Sequence, residues 1–152
     1  MVVLPESIVH SLVEFVDGTL KAELGDPDMK VPIQYAVTSP ERKPAGLAGF
    51  DLTAADLTFE EPDRASFPCL ELGYWAGRTG RSAPAVLNAA DEIAVAAFLR
   101  GAIPFPAIAD VVASTLNHLP VVDLASVDDV LAIDEPARKI AAEYVEVNGG
   151  SG

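Results

Sequence analysis

S-A-P-A-V-L-N-A-A-D-E-I-A-V-A-A-F-L-R-G, residues 82–101, holds seven alanines between Ala83 and Ala97. Alanine is the strongest helix former and Leu87 and Leu99 support it, so this stretch is predicted to be helical. Pro84 suits a first turn, and Gly101 just past Arg100 is a common stop. Val86, Ala90, Ile93, Ala94 and Ala97 fall on one apolar stripe, which Leu87 and Phe98 widen. Beyond Ser82, the polar side chains are Asn88, Asp91, Glu92 and Arg100. A helix this apolar must be covered on most sides. It is predicted to be the central member of a helical packing unit, with neighbours close against its small alanines.

The flanking sequence supplies those neighbours. Ser66 is placed to cap a helix over residues 67–78, with Pro68 in its first turn and Leu70, Leu72, Tyr74 and Trp75 to bury. After Gly101, Phe105, Ile108, Val112, Thr115 and Leu119 recur at helical steps until Pro120 stops them. Ser126 with Asp129 three residues on resembles a capping box, opening a short helix through Ile133. Asp134, with Pro136 in the first turn, is predicted to restart a last helix whose Ala137, Ile140, Ala141 and Tyr144 face one way. Residues 148–152, Asn-Gly-Gly-Ser-Gly, read as a flexible tail.

Upstream the pattern changes. Ile8, His10, Leu12, Glu14 and Val16 alternate with Val9, Ser11, Val13 and Phe15, and Asp17-Gly18 precedes a second run from Thr19 to Leu24. This predicts a β-hairpin, and two strands are only marginally stable unless a larger sheet takes them in. Asp26-Pro27-Asp28 is a compact turn, with Asp28 placed to cap a short helix from Met29 to about Thr38 whose Ile33, Ala36 and Val37 face inward. From Glu41 to Ser66, Pro44, Gly46, Gly49 and Pro62 break the chain into short pieces. That region is predicted to be a linker, pinned by Phe50, Leu52 and Phe59, with one short strand around Leu57 to Phe59.

The chain has 152 residues, 50% of them hydrophobic, which is enough for a real core. A net charge of −13 argues against nucleic acid and anionic membrane surfaces as partners. One cysteine, Cys69, makes no internal disulfide, and with His10 and His118 it cannot close a zinc site. No run reaches the length of a membrane span, and the start lacks a signal-peptide pattern, so a reducing cytoplasmic setting is expected.

On spacing alone, His10 reads as a hydrogen-bonded strand histidine and His118 as a cation at a helix C-terminus. Turn chemistry explains Asp26 and Asp28 near Lys30 as well as a metal or phosphate loop does. Asn88, Asp91 and Glu92 share a helical face, more simply an interhelical hydrogen-bonding patch than a binding site. No metal site is expected among these residues.

Three stretches together carry more. They are S-I-V-H-S-L-V-E-F-V-D-G at 7–18, D-P-D-M-K-V-P-I at 26–33, and F-P-C-L-E-L at 67–72 with A-V-L-N-A-A-D-E-I-A-V-A-A-F-L at 85–99. They resemble 1-deoxy-D-xylulose 5-phosphate reductoisomerase, as does S-V-D-D-V-L at 126–131. That enzyme of the non-mevalonate isoprenoid pathway uses NADPH and Mg²⁺ or Mn²⁺. The metal polarises substrate oxygens during a rearrangement and NADPH reduces the product aldehyde to 2-C-methyl-D-erythritol 4-phosphate. The resemblance covers the C-terminal part of the enzyme. It implies an end of the catalytic domain at 1–38, a linker at 39–65, a helical domain at 66–147 and a tail at 148–152.

The resemblance also places His10, Pro27, Asp28 and Met29 beside the substrate and nicotinamide, with His10 accessory and no catalytic residue certain. The family's nucleotide-binding domain, acidic metal ligands and phosphate-holding residues precede this region, so the chain alone is expected to be inactive and to bind no cofactor tightly. Leu4 and Glu6 stand where the family has histidine and glutamine, and Asp91 where asparagine is usual. The expected partner is a second copy, or the missing N-terminal domains, through the hairpin of residues 1–24. The fold expected is α+β: a hairpin and short helix from a mixed sheet, a linker, and an all-α, four-helix-bundle-like domain. The competing reading is a non-catalytic structural or assembly module that keeps the helical domain.

Overall fold

A computed structural model describes residues 1–54 and 56–149. Gly150, Ser151 and Gly152 of the expected tail lie outside the described residues. The chain forms two compact units, one of Met1–Pro62 and a second that begins at Asp63. Residues 39–62 thus group with the hairpin.

In the first unit, strands β1 (Val9–Glu14) and β2 (Leu20–Leu24) pair antiparallel. Gly18 closes the turn between them by donating its N–H to Phe15 O at 2.9 Å, at φ 82°, where glycine is favoured. Asp17 Oδ1 accepts the N–H and the hydroxyl of Thr19 at 2.9 and 2.6 Å. Among the described residues no third strand joins β1 and β2. The piece around Leu57 to Phe59 instead leads to an isolated antiparallel bridge between Val3 and Glu60. Glu6, at one of the family departures, accepts the Thr58 N–H at 3.3 Å and the Thr58 hydroxyl.

Helix α1 (Lys30–Thr38) follows the 26–28 turn, but buries no residue. Ile33, Ala36 and Val37, expected to face inward, are exposed, as are Leu52 and Phe59, expected to pin the linker. Helical periodicity located the apolar side chains, but the first unit does not cover them.

The second unit holds helices α2 (Cys69–Thr79), α3 (Ala83–Leu99), α4 (Ala107–His118) and α5 (Val127–Asn148). α3 packs against all three others. Val86, Ala90, Ala94 and Ala97 are buried as expected, together with Ala83 and Ala89, whereas Ile93 is half-buried at the edge of the core. Val111 and Val112 of α4 and Ala137 and Ala141 of α5 complete it. Trp75, expected inside, is exposed, and so is Phe105, which precedes α4. Ser66 does not cap α2: three residues earlier, Asp63 Oδ1 accepts the N–H groups of Ala65 and Ser66.

Residues 126–148 contradict the expectation of two helices. α5 runs unbroken through Pro136. An internal proline removes one hydrogen bond and costs about 3 kcal/mol or more. Asp134 and Arg138 straddle it, with Arg138 Nε 2.6 Å and Nη2 3.1 Å from the Asp134 carboxylate. The same guanidinium reaches Glu92 of α3 at 2.8 Å, so the helix is clamped to its neighbour just beyond the break. Burial of Ala137, Ala141 and Val145 does the rest.

The capping box is as expected. Asp129 N–H donates to Ser126 Oγ at 3.2 Å, and Asp129 Oδ2 accepts the Ser126 N–H at 2.9 Å. The Ala125 N–H, with the Ser126 side chain next, holds the Asp129 carboxyl below its ordinary value. A depressed carboxylate stabilises the fold above its unfolded pKa and loses that contribution as pH falls through the folded one. Ser126→Ala removes the hydroxyl that accepts the Asp129 N–H and is expected to cost about 1 kcal/mol in thermal unfolding. Acidification below the ordinary aspartate range should lower the melting midpoint of parent and variant alike, since the backbone N–H groups of Ala125 and Ser126 that hold the carboxylate remain in both.

At the other entrance, buried Ser82 donates its N–H to Val122 O at 3.0 Å and accepts the Val122 N–H on its hydroxyl at 2.9 Å. This pair ties the start of α3 to the segment after α4.

Candidate functional site

The residues that define the site are set by the end of the hairpin. Val9 pairs with Leu24 and Ser11 with Glu23, so His10 is the extra residue of a bulge. Bulges re-aim side chains, and they gather near active sites. Here the bulge brings His10 Nε2 to 3.0 Å from Gly25 O. A carbonyl only accepts, so Nε2 carries the hydrogen and the neutral ring has Nδ1 as its acceptor.

Past Gly25 the chain turns tightly, with Asp28 N–H on Asp26 O at 2.7 Å. Asp28 Oδ1 then accepts the N–H of Lys30, the first residue of α1, at 2.9 Å. Met29 is the cap residue itself, so Asp28 caps from one place before it. Lys30 Nζ lies 3.5 Å from the other carboxylate oxygen. The Lys30 N–H, with the ammonium charge behind it, holds the Asp28 carboxyl below its ordinary value. It is an anion at neutral pH.

His10, Pro27, Asp28 and Met29 line one hollow of about 710 Å³ within the first unit. Pockets of this size hold small molecules and cofactor fragments. Leu24, Pro27, Met29, Val31 and Phe50 give it apolar walls, while Ser11, Glu23 and Asp26 add polar groups. Spacing alone did not single out Ser11, Glu23 or Leu47, and it marked Phe50 only as a pin of the linker. Glu23 becomes visible only from the register, which sets it opposite Ser11. Among the described residues, no three or more histidine, cysteine or acidic side chains gather as a metal would need.

The remaining candidates take their simpler roles in the helical unit. His118 Nδ1 donates to Ser114 O at 2.7 Å in the last turn of α4. Asn88 Nδ2 donates to Glu92 Oε1 at 3.1 Å, and Glu92 is the carboxylate that Arg138 clasps. Cys69 is exposed, and its thiol is pushed up by local desolvation, with the Asp91 charge adding to it. Neither makes a reactive site.

Residues 24–140 match the family model described as the DXP reductoisomerase C-terminal domain. The chain belongs to the DXP reductoisomerase family. A 1-deoxy-D-xylulose 5-phosphate reductoisomerase of Pseudomonas putida is 49% identical over 150 residues, covering 98% of this chain and 38% of the relative. The solved reductoisomerase of Zymomonas mobilis in complex with NADPH superposes with a TM-score of 0.88 at 42% identity, over 95% of this chain and 39% of that one. A reductoisomerase solved with NADPH, fosmidomycin and magnesium gives 0.88 at 39% identity, over 96% and 38%. The chain thus spans about two-fifths of the length of the reductoisomerases it matches. No helix among the described residues is long and apolar enough to cross a membrane.

Proposed function

We propose that this chain is the C-terminal part of a cytoplasmic reductoisomerase and shares in converting 1-deoxy-D-xylulose 5-phosphate to 2-C-methyl-D-erythritol 4-phosphate. The observation that carries this reading is the single hollow formed by His10, Pro27, Asp28 and Met29 in a chain of this family. Met29 and Pro27 offer an apolar surface suited to a flat nicotinamide ring and to keeping water from it. Asp28 fixes the start of α1 and so the place of Met29. His10, held through Nε2, offers Nδ1 to a hydroxyl or a bound water. NADPH supplies the hydride when bound. Its phosphates, and the divalent metal, call for residues other than those gathered here.

The helical residues 66–147 are proposed as a separate domain. The hairpin is proposed to pair with a second copy or with the rest of the protein, since Val13 and Leu20 are exposed on its strands, Phe15 and Val16 are exposed in the turn between them, and no further described strand covers its edges.

The test transplants the chain in place of the matching stretch of the Pseudomonas putida relative. NADPH oxidation that depends on 1-deoxy-D-xylulose 5-phosphate and Mg²⁺ is expected from the chimera, and only the blank rate from the 152-residue chain alone. A folded chimera without activity would favour the structural-module reading. Activity of the chain alone would show that the proposed division of labour is wrong.

A further inference from the structure

We propose that residues 39–50 form a fixed third wall of the hollow, and that Arg42 is the positioning residue that fastens it. The inference deepens the proposed function and rests on it. The segment leaves α1 at a turn in which Glu41 N–H donates to Thr38 O at 3.0 Å and Thr38 Oγ1 donates to Glu41 O at 2.7 Å. Gln34 Nε2 of α1 then holds Pro44 O at 3.2 Å. Gly46, at φ 73°, reverses the chain, and Leu47, Ala48 and Phe50 reach the hollow.

Those ties hold the segment to α1 alone. Arg42 adds the hairpin. Its guanidinium lies 4.6 Å over the Tyr35 ring of α1, and Nη1 is 3.8 Å from Glu23 of β2. Glu23 itself lines the hollow. One side chain therefore spans the two elements that carry the site: the hairpin with His10, and α1 with Asp28 and Met29 at its start. A planar guanidinium can stack on a ring and meet a carboxylate at once, which a lysine ammonium cannot do equally well. The Arg42–Glu23 pair is exposed, so its effect on overall stability is small. Its consequence is geometric: it sets how far the α1 side of the hollow stands from the His10 side.

The test has two parts. In the chimera, Arg42→Ala is expected to lower kcat/KM by roughly 10-fold or more, as misplacement of substrate-facing groups does, with an unchanged thermal midpoint. Arg42→Lys should restore only part of the loss, whereas Lys139→Ala, which removes an exposed cation of α5 paired with Glu143, should leave the activity unchanged. In the 152-residue chain, the His10 ring and Met29 methyl NMR signals should shift in Arg42→Ala and stay in place in Lys139→Ala. If the chimera is inactive the functional reading fails, and the NMR shifts still decide whether the wall is fastened by Arg42. Unmoved signals, or parental kinetics in an active Arg42→Ala chimera, overturn the proposal. So does a loss of activity matched by a fall in the thermal midpoint.

Discussion

Ala94→Asp is expected to unfold the helical unit. Ala94 is fully buried on α3 among Ala90, Ala97 and the α4 and α5 side chains. A carboxylate placed there has no partner, and burying it costs several kcal/mol, against a typical domain stability of roughly 5–15 kcal/mol. The circular-dichroism melting transition should fall steeply or disappear, whereas Glu135→Ala on the exposed side of α5 should leave it within the error. Half-buried Ile93 is the less severe position for the same change. A parental melting curve for Ala94→Asp would mean that α3 is not the centre of this unit.

The second large effect belongs to the bulge. In an active chimera, His10→Ala is expected to lower kcat/KM by roughly 10- to 100-fold, because it removes the imidazole and its anchor on Gly25 O together. His10→Gln can still donate to that carbonyl and should recover part of the loss. Equal kinetics for parent and His10→Ala would leave His10 as a hydrogen-bonded strand residue and nothing more.

Much of the helical unit was legible from local pattern. Seven alanines around Val86 and Val95 permit little except a close-packed helix, and Ser126 with Asp129 marks the start of α5 by chemistry alone. Pro136 misled because its cost is local whereas its compensation is not. The Asp134–Arg138 pair across it and the Glu92 contact beyond it depend on how α3 and α5 lie together. The first unit was read well for its elements and poorly for its burial. Ile33, Val37 and Leu52 follow the expected spacing, yet spacing does not say whether anything covers them.

The site divides in the same way. Asp26-Pro27-Asp28 announces a turn and a cap, and the family resemblance added His10 and Met29. The bulge that aims His10 arises from pairing between β1 and β2, and no pattern within either strand reveals it. The same holds for Glu23 and for the tie of the 39–50 wall to the hairpin, which joins Arg42 to Glu23.

The central claim is that the hollow beside His10 and Met29 faces the nicotinamide and substrate in the complete protein. The most direct measurement is NMR of the chimera with ¹³C-methyl methionine, in which Met29→Leu identifies the Met29 signal. That signal is predicted to move when NADPH and Mg²⁺ are added, and again with 1-deoxy-D-xylulose 5-phosphate. A Met29 methyl that stays in place at saturating concentrations of all three, in a chimera that turns over, would contradict the account.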